Sequence, residues 1–379
     1  MNITRKKFPA LADNSYVYLN SGGSGPPSYE TIRAMREIDD LCSGPAYLEG
    51  ADFYAHQRDA YARTRETAGR LVNADPANIA LTQSTTHGMN LGTFALDWKE
   101  GDEVVSSRSE HPGCLVPLHA LEKRHGVRLR LVEPPITPEK VKGTMTARTR
   151  LVALSHVDWT TGEVLPLAEI CALARERGAL TLVDGAQSVG NIPVDIPATG
   201  ADMYAFTGHK WVLGPEGMGG FHVRPDCEVG STSLGYASLS DPTEFRAEGG
   251  YWECVYDGAR RFEASTMSPA LAAGFTAAAA AAYERGSEGF AEIRGRAELL
   301  ASLLEELPRV TIRSPRPARS GLVSFEIEGV AAKEAAEKLL EEEFVVRFIP
   351  EPYPYVRASI HLFNTGEELE ALAEAVSRL

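Results

Sequence analysis

Short, almost wholly apolar runs alternate along this chain with longer stretches of helical period. Met203–Phe206 is apolar throughout, as are Leu180–Val183 apart from Thr181 and Leu151–Ser155 apart from Ser155, and Glu103–Ser106 centres on Val104 and Val105. Runs this short without polar alternation predict strands covered on both faces, as in a parallel sheet. Between them, the residues after Pro112 as far as His125, and those of Pro166–Gly178, carry a helical pattern. Alternating strands and helices predict an α/β fold. Upstream, Tyr16–Leu19 reads as a short strand, and Ser28 as the N-cap of a helix ending near Gly44. A second, arginine-rich helix is expected over Ala51–Val72, and Leu81–Asn90 as a loop feeding a helix to about Leu96. Asp226–Gly258 is irregular and predicts a long loop, followed by an alanine-rich helix to about Ala282. From Ser287 the order becomes helix, strand, helix, strand, with more charge. Strands are expected at Leu322–Ile327, Phe344–Phe348 and Val356–Ile360, and a terminal helix from about Glu367. Two domains follow from this: a large one over 18–285, and a smaller α/β one over 286–379 that residues 1–17 join.

Two of the apolar runs end in chemistry. One ends on Asp184, the other in Thr207-Gly208-His209-Lys210. Open α/β sheets bind ligands at the carboxyl ends of their strands, so Asp184 and Lys210 are expected in one crevice. Pyridoxal phosphate needs that pair: a lysine for its Schiff base and an acid against its pyridinium nitrogen. Taken singly, an acid at a strand end also suits a turn or a helix cap, and a lone lysine suits the surface. Lys210 at the end of an apolar strand, with Gly214, Gly217, Gly219 and Gly220 turning the chain into a strand near Phe221, is hard to read as surface charge. A dinucleotide-binding loop is excluded, because its glycines would open a helix and these lead into a strand. Thr85 and Thr86 begin a predicted helix, where free N–H groups suit a phosphate and where a plain Ser/Thr cap is the alternative.

The stretch from Thr181 to Gly220 resembles the cofactor core of the class V aminotransferase family, which includes cysteine desulfurases and carbon–sulfur lyases. Asp184, Gln187, Thr207, His209 and Lys210 match its motif one for one, and the resemblance runs over roughly residues 16–379. It implies the PLP-dependent transferase (aspartate aminotransferase-like) fold, whose large domain holds a mainly parallel seven-stranded sheet. It also implies roles for individual residues. Lys210 is the Schiff-base lysine, Asp184 the partner of the pyridine nitrogen, and Gln187 the donor to the phenolic oxygen. His111 stacks on the cofactor ring, while Thr85, Thr86, Thr207 and His209 hold the phosphate. Thr266 reaches the phosphate of a neighbouring subunit, which implies a homodimer with shared active sites. Arg357 binds the substrate carboxylate and Gly23 lies beside the substrate. Related enzymes often place an asparagine in the loop that here reads His156-Val157-Asp158-Trp159-Thr160-Thr161; this chain has none, and Thr160 or Thr161 is the expected substitute. Arg347, at a predicted strand end, also stands out as a carboxylate fork.

Composition limits the partners. A net charge of −14 with no basic block argues against nucleic acid and anionic membranes. The basic N-terminus lacks an apolar core, and no run approaches the roughly 20 residues that span a bilayer, so a cytoplasmic protein is expected. The five cysteines (Cys42, Cys114, Cys171, Cys227 and Cys254) are scattered without ligand spacing, which predicts neither a metal site nor a disulfide framework.

For the reaction, the interval Phe348–Val356 is the informative stretch. Desulfurases of the related group carry a nucleophilic cysteine between the positions of Arg347 and Arg357; this interval is short, proline-rich and free of cysteine. The expectation is therefore β-elimination from a cysteine- or cystine-type amino acid, with transamination or isopenicillin-type epimerisation as alternatives. A non-catalytic protein on this scaffold is disfavoured by the intact Asp184 and Lys210.

Overall fold

The computed structural model describes residues 5–13, 15–45, 51–241, 243, 245–247, 249 and 254–379, with backbone only for 51–53. The chain opens with β1 (Val17–Tyr18), α1 (Tyr29–Ser43) and α2 (Ala51–Val72). Ser28 caps α1 as expected, its hydroxyl accepting from the Thr31 N–H. Strands and helices then alternate: β2 (Ile79–Thr82), α3 (Thr85–Thr93), β3 (Glu103–Ser107), α4 (Pro112–His125), β4 (Arg128–Val132) and α5 (Pro138–Thr144). They continue with β5 (Thr149–Ser155), α6 (Leu167–Glu176), β6 (Leu180–Asp184), α7 (Ile196–Thr199), β7 (Met203–Thr207) and β8 (Gly219–Val223). The remainder is α8 (Pro269–Glu305), β9 (Val310–Ile312), β10 (Leu322–Ile327), α9 (Ala332–Glu341), β11 (Phe344–Val345), β12 (Arg347–Phe348), β13 (Val356–Ser359) and α10 (Gly366–Ser377).

Seven strands form one sheet in the order β2-β8-β7-β6-β5-β3-β4. From β7 to β4 every pair is parallel, and β8 runs antiparallel to both neighbours. The apolar runs lack alternation because both faces of this sheet are covered. Val152, Leu154, Val183, Tyr204 and Phe206 enter one core. Leu151, Ala153, Leu182, Met203 and Ala205 enter the core on the other side. Two glycines bring α3 close to the sheet. A Cβ on Gly88 would lie 2.6 Å from the Ala205 side chain, and one on Gly92 would lie 2.6 Å from Leu182. That close approach sets the N-terminus of α3 over the carboxyl ends of β6 and β7.

A four-stranded antiparallel sheet, β12-β13-β10-β9, packs its own core of Val323, Phe325, Val356, Leu369 and Leu372. β1 pairs in parallel with β11, so the N-terminal segment is tied to the C-terminal part of the chain. The alanine-rich helix ends at Gly286, close to the expected Ala282, and a second helix follows it. The two helices that make up α8 meet at Gly286 (φ 56°, ψ −162°), a backbone conformation that glycine tolerates. The expected strand over Phe344–Phe348 divides into β11 and β12, which belong to different sheets. Among the described residues, no helix is long and apolar enough to cross a membrane. Part of the expected Asp226–Gly258 loop lies outside the described residues.

Candidate active site

The carboxyl ends of β6 and β7, the N-termini of α3 and α4 and the β12–β13 pair converge on a cleft of about 230 Å3. Asp184 closes β6 and is 6% exposed. Its Oδ1 accepts from the Ala186 N–H at 2.9 Å, which leaves the second oxygen for the cleft. Burial raises its pKa, opposed by the Ala186 bond and by Lys210. Lys210 lies in the turn after β7 and lines the same cleft. Burial lowers the pKa of its amine to about 8; Asp184 opposes the shift, and Arg357 and Arg347 add to it. The expected pairing of strand-end acid and lysine is thus present in space.

Gln187 also lines the cleft, its amide held at both ends. Nε2 donates to the Gly22 carbonyl at 2.8 Å, and Oε1 accepts from the Trp211 indole at 2.7 Å. Thr207 and His209 share a hydrogen bond of 2.7 Å at one side. Opposite them, Ser84 caps α3 by accepting from the His87 N–H, and Thr85 and Thr86 occupy its first turn. The Thr85 hydroxyl is buried without any hydrogen-bond partner, at a helix start where the first N–H groups have no intrahelical acceptor. An orphaned hydroxyl at such a terminus is suited to an anion.

His111 caps α4, its Nδ1 accepting from the Gly113 N–H at 3.0 Å, so the neutral ring carries its proton on Nε2. Burial, then Lys210, Arg347 and Arg357, push its pKa down to about 4, which keeps the ring neutral at pH 7. Arg357 is 1% exposed, and its Nη1 donates to the Trp159 carbonyl at 2.7 Å. Burial and then Arg347 bring its pKa down to about 9, against the pull of Asp158. The Nε atoms of Arg347 and Arg357 are both buried without a partner. Gly23 lines the cleft from the N-terminal loop.

One of the expected residues lies elsewhere. Thr160 is not at the cleft, because its hydroxyl and N–H both donate to Asp158 Oδ1 at 2.5 and 2.8 Å. From that loop it is Trp159 that faces the cleft, its indole donating to the Ser109 carbonyl at 2.7 Å and its ring edge-on to His111 at 4.9 Å. The sequence reading passed over Trp159 because it sought a polar replacement for an asparagine. Thr266, expected to reach the cleft of a neighbouring subunit, is exposed and outside the cleft of its own chain. No group of metal-ligating side chains occurs among the described residues.

An acid, a lysine, an amide, an aromatic imidazole and an anion seat around one small cleft at the strand ends define a fold type I PLP-dependent enzyme. Residues 17–372 match the family model described as Aminotransferase class-V, and the chain belongs to that family. Membership makes pyridoxal 5'-phosphate its cofactor, and the unpartnered Thr85 hydroxyl and open Asp184 oxygen fit that group. The chain is 29% identical over 400 residues to a probable cysteine desulfurase of Methanothermobacter thermautotrophicus, covering 99% of this chain and 97% of that one. It is 32% identical over 400 residues to the isopenicillin N epimerase of Streptomyces clavuligerus, covering 97% and 96%. Among solved structures it resembles the cystine C-S lyase C-DES in complex with its reaction product, cysteine persulfide. That match has a TM-score of 0.90 and 32% identity, covering 98% of this chain and 99% of the other.

Proposed function

We propose that this PLP-dependent enzyme is a carbon–sulfur lyase acting on a cystine-type amino acid. The observation that carries this reading is the pair Arg347 and Arg357, two guanidinium groups at one cleft, which suits a substrate with two carboxylates. Arg357, buried and oriented by Trp159, binds the α-carboxylate, and Arg347 the distal one. The cofactor, once bound, supplies an electron sink for charge developing on the substrate α-carbon. Asp184 holds the proton on the cofactor's ring nitrogen, Gln187 donates to its ring oxygen, and neutral His111 covers its ring. Thr85, Thr86, Thr207 and His209 hold its phosphate. Lys210, an amine whose pKa burial lowers, would take the α-proton of the substrate. The Cβ–S bond then breaks with its electron pair leaving on sulfur. The net reaction is cystine plus water giving pyruvate, ammonia and cysteine persulfide.

None of the five cysteines lines the cleft, which favours elimination over transfer of sulfur to an enzyme thiol. A homodimer belongs to this reading, since Thr266 is exposed and free to approach a second copy. The deciding experiment supplies cystine, cysteine, cysteine sulfoxides and alanine while pyruvate and the cofactor spectrum are followed together. Pyruvate from cystine supports the lyase. Conversion to the pyridoxamine form without pyruvate would point instead to an aminotransferase, and inversion of the α-carbon to an epimerase.

A further inference from the structure

Trp211 follows Lys210 directly, yet it is fully buried and makes no contribution to the cleft wall. Its indole N–H donates to Gln187 Oε1 at 2.7 Å, while Gln187 Nε2 donates to the Gly22 carbonyl at 2.8 Å. An indole nitrogen can only donate, so the group facing it has to be an acceptor. Turning the Gln187 amide over would set N–H against N–H and carbonyl against carbonyl, two unmade hydrogen bonds in a buried place. The orientation is therefore fixed by Trp211 together with the Gly22 carbonyl, and it leaves the second Nε2 hydrogen for the cleft.

Trp211 itself has little freedom. Its ring stacks on His361 at 6.1 Å and 24°. Its carbonyl accepts from His361 Nε2 at 3.1 Å and from Arg285 Nη2 at 3.3 Å. A Cβ on Gly321 would fall 2.7 Å from its ring, so the C-terminal part of the chain packs tightly against it. A held donor behind a flexible amide is the arrangement that selects one of two amide orientations.

We propose that Trp211 is a positioning residue that fixes the Gln187 amide with its N–H donors toward the cofactor's ring oxygen, and so sets the proton affinity of the Lys210–cofactor linkage. This rests on the reading that Gln187 faces that oxygen. A donor there competes with the proton on the Lys210 nitrogen for the same oxygen and lowers the pH at which that proton leaves. Losing the donor raises it. Asp184, His111, His209, Arg347 and Arg357, the charged and titratable groups around Lys210, are unchanged in the replacements below.

The test is a pH titration of the yellow absorbance of the purified holoenzyme, carried out without substrate. Three replacements are compared: Gln187→Met, Trp211→Phe, and exchange of the Trp211 indole for the isosteric benzothiophene, which removes only the N–H. Gln187→Met is expected to move the midpoint up by about one pH unit, the value of one ordinary hydrogen bond. The benzothiophene exchange moves it in the same direction, and adds nothing when Gln187 is already Met. An unmoved midpoint in the benzothiophene protein, beside a shifted Gln187→Met, overturns the proposal, as does full additivity of the two. Should Gln187→Met itself leave the midpoint in place, the reading of Gln187 fails and the proposal falls with it. The isosteric exchange carries the test if Trp211→Phe does not fold.

Discussion

Arg347 and Arg357 sit directly opposite each other across the antiparallel β12–β13 pair. Opposed residues in such a pair lie side by side on one face, where like charges are unfavourable. Burial and the neighbouring Arg347 lower the pKa of Arg357, and Asp158 only partly offsets this. A guest with two carboxylates relieves the conflict; a guest with one leaves half of it. Arg357→Met is expected to raise KM for every amino-acid substrate, since truncating one side of a buried charge pair costs about 2–5 kcal/mol, or roughly 30-fold and upward. Arg347→Met should raise KM for cystine about tenfold more than for cysteine or alanine. Initial-rate kinetics on both variants check this, and an equal loss for all substrates would remove the second carboxylate from the reading.

Lys210 gives a prediction about pH. Its amine, lowered to about 8, is protonated below that value and nucleophilic above it. Capture of added pyridoxal phosphate by cofactor-free protein should therefore accelerate as pH rises through about 8 and then level off. Asp184 raises the Lys210 pKa, so Asp184→Asn should move this rise to lower pH. Lys210→Ala should abolish borohydride trapping of the cofactor and cut turnover by at least about 10²–10⁴-fold, the usual contribution of a positioned base. Stopped-flow absorbance measures the first effect and pyruvate release the last.

The sequence revealed the centre of the site because its residues end buried strands, where an apolar run makes a terminal acid or lysine conspicuous. Asp184 is of this kind, and Lys210 follows such a strand by three residues. The edges of the sheets were harder to read. β4 alternates Arg128, Leu129, Arg130 and Leu131, an exposed pattern at the sheet edge, and β9 spans only Val310–Ile312. Neither has the uninterrupted apolar run that marks the central strands. Leu81 and Thr82 of β2 are expected as loop because the polar start of α3 follows them at once. Trp159 escaped for a different reason: its place in the cleft depends on Asp158 gathering the N–H and hydroxyl groups of Thr160 and Thr161 into one turn. That contact cannot be seen in residue spacing.

A buried ion pair outside the cleft lining carries a stability prediction. Arg65 on α2 donates from Nε to Glu263 Oε1 at 3.1 Å and also pairs through Nη2 with Oε2. The same Oε1 accepts from the Leu81 N–H at 2.7 Å, so Glu263 ties α2 and β2 to the segment before α8. Both side chains are nearly fully buried. Removing one partner leaves the other charged and unpaired, a cost of about 3–5 kcal/mol. Arg65→Met and Glu263→Leu should each lower the urea midpoint strongly. The double replacement should be far less damaging than the sum of the two. Additive losses would show that the pair is not a coupled unit.

Glu110 makes the pH dependence of folding testable. Its carboxyl is buried behind His111 and accepts from the Ser155 N–H at 2.7 Å and from the Ser155 hydroxyl. Burial raises its pKa to about 8, with Asp184 and Asp158 adding to the shift and the Ser155 bonds opposing it. An acid whose pKa is higher folded than unfolded holds a proton in the folded state that the unfolded chain has lost. Its contribution is therefore fully present below about 4.5, falls as pH rises, and is gone above about 8. His156, lowered to about 4 by burial, acts in the opposite sense: its contribution is full above about 6.5 and is lost as pH falls toward 4. Glu110→Gln keeps an acceptor for the Ser155 N–H but cannot ionise, so it removes only the first slope. Urea unfolding at pH 5.5, 7 and 8.5 should show the variant gaining on the parent as pH rises, by an amount on the order of a few kcal/mol. The acid-side loss, to which His156 contributes beside His111, His222 and His361, should be unchanged. Parallel curves for the two proteins would mean that Glu110 does not titrate in this window.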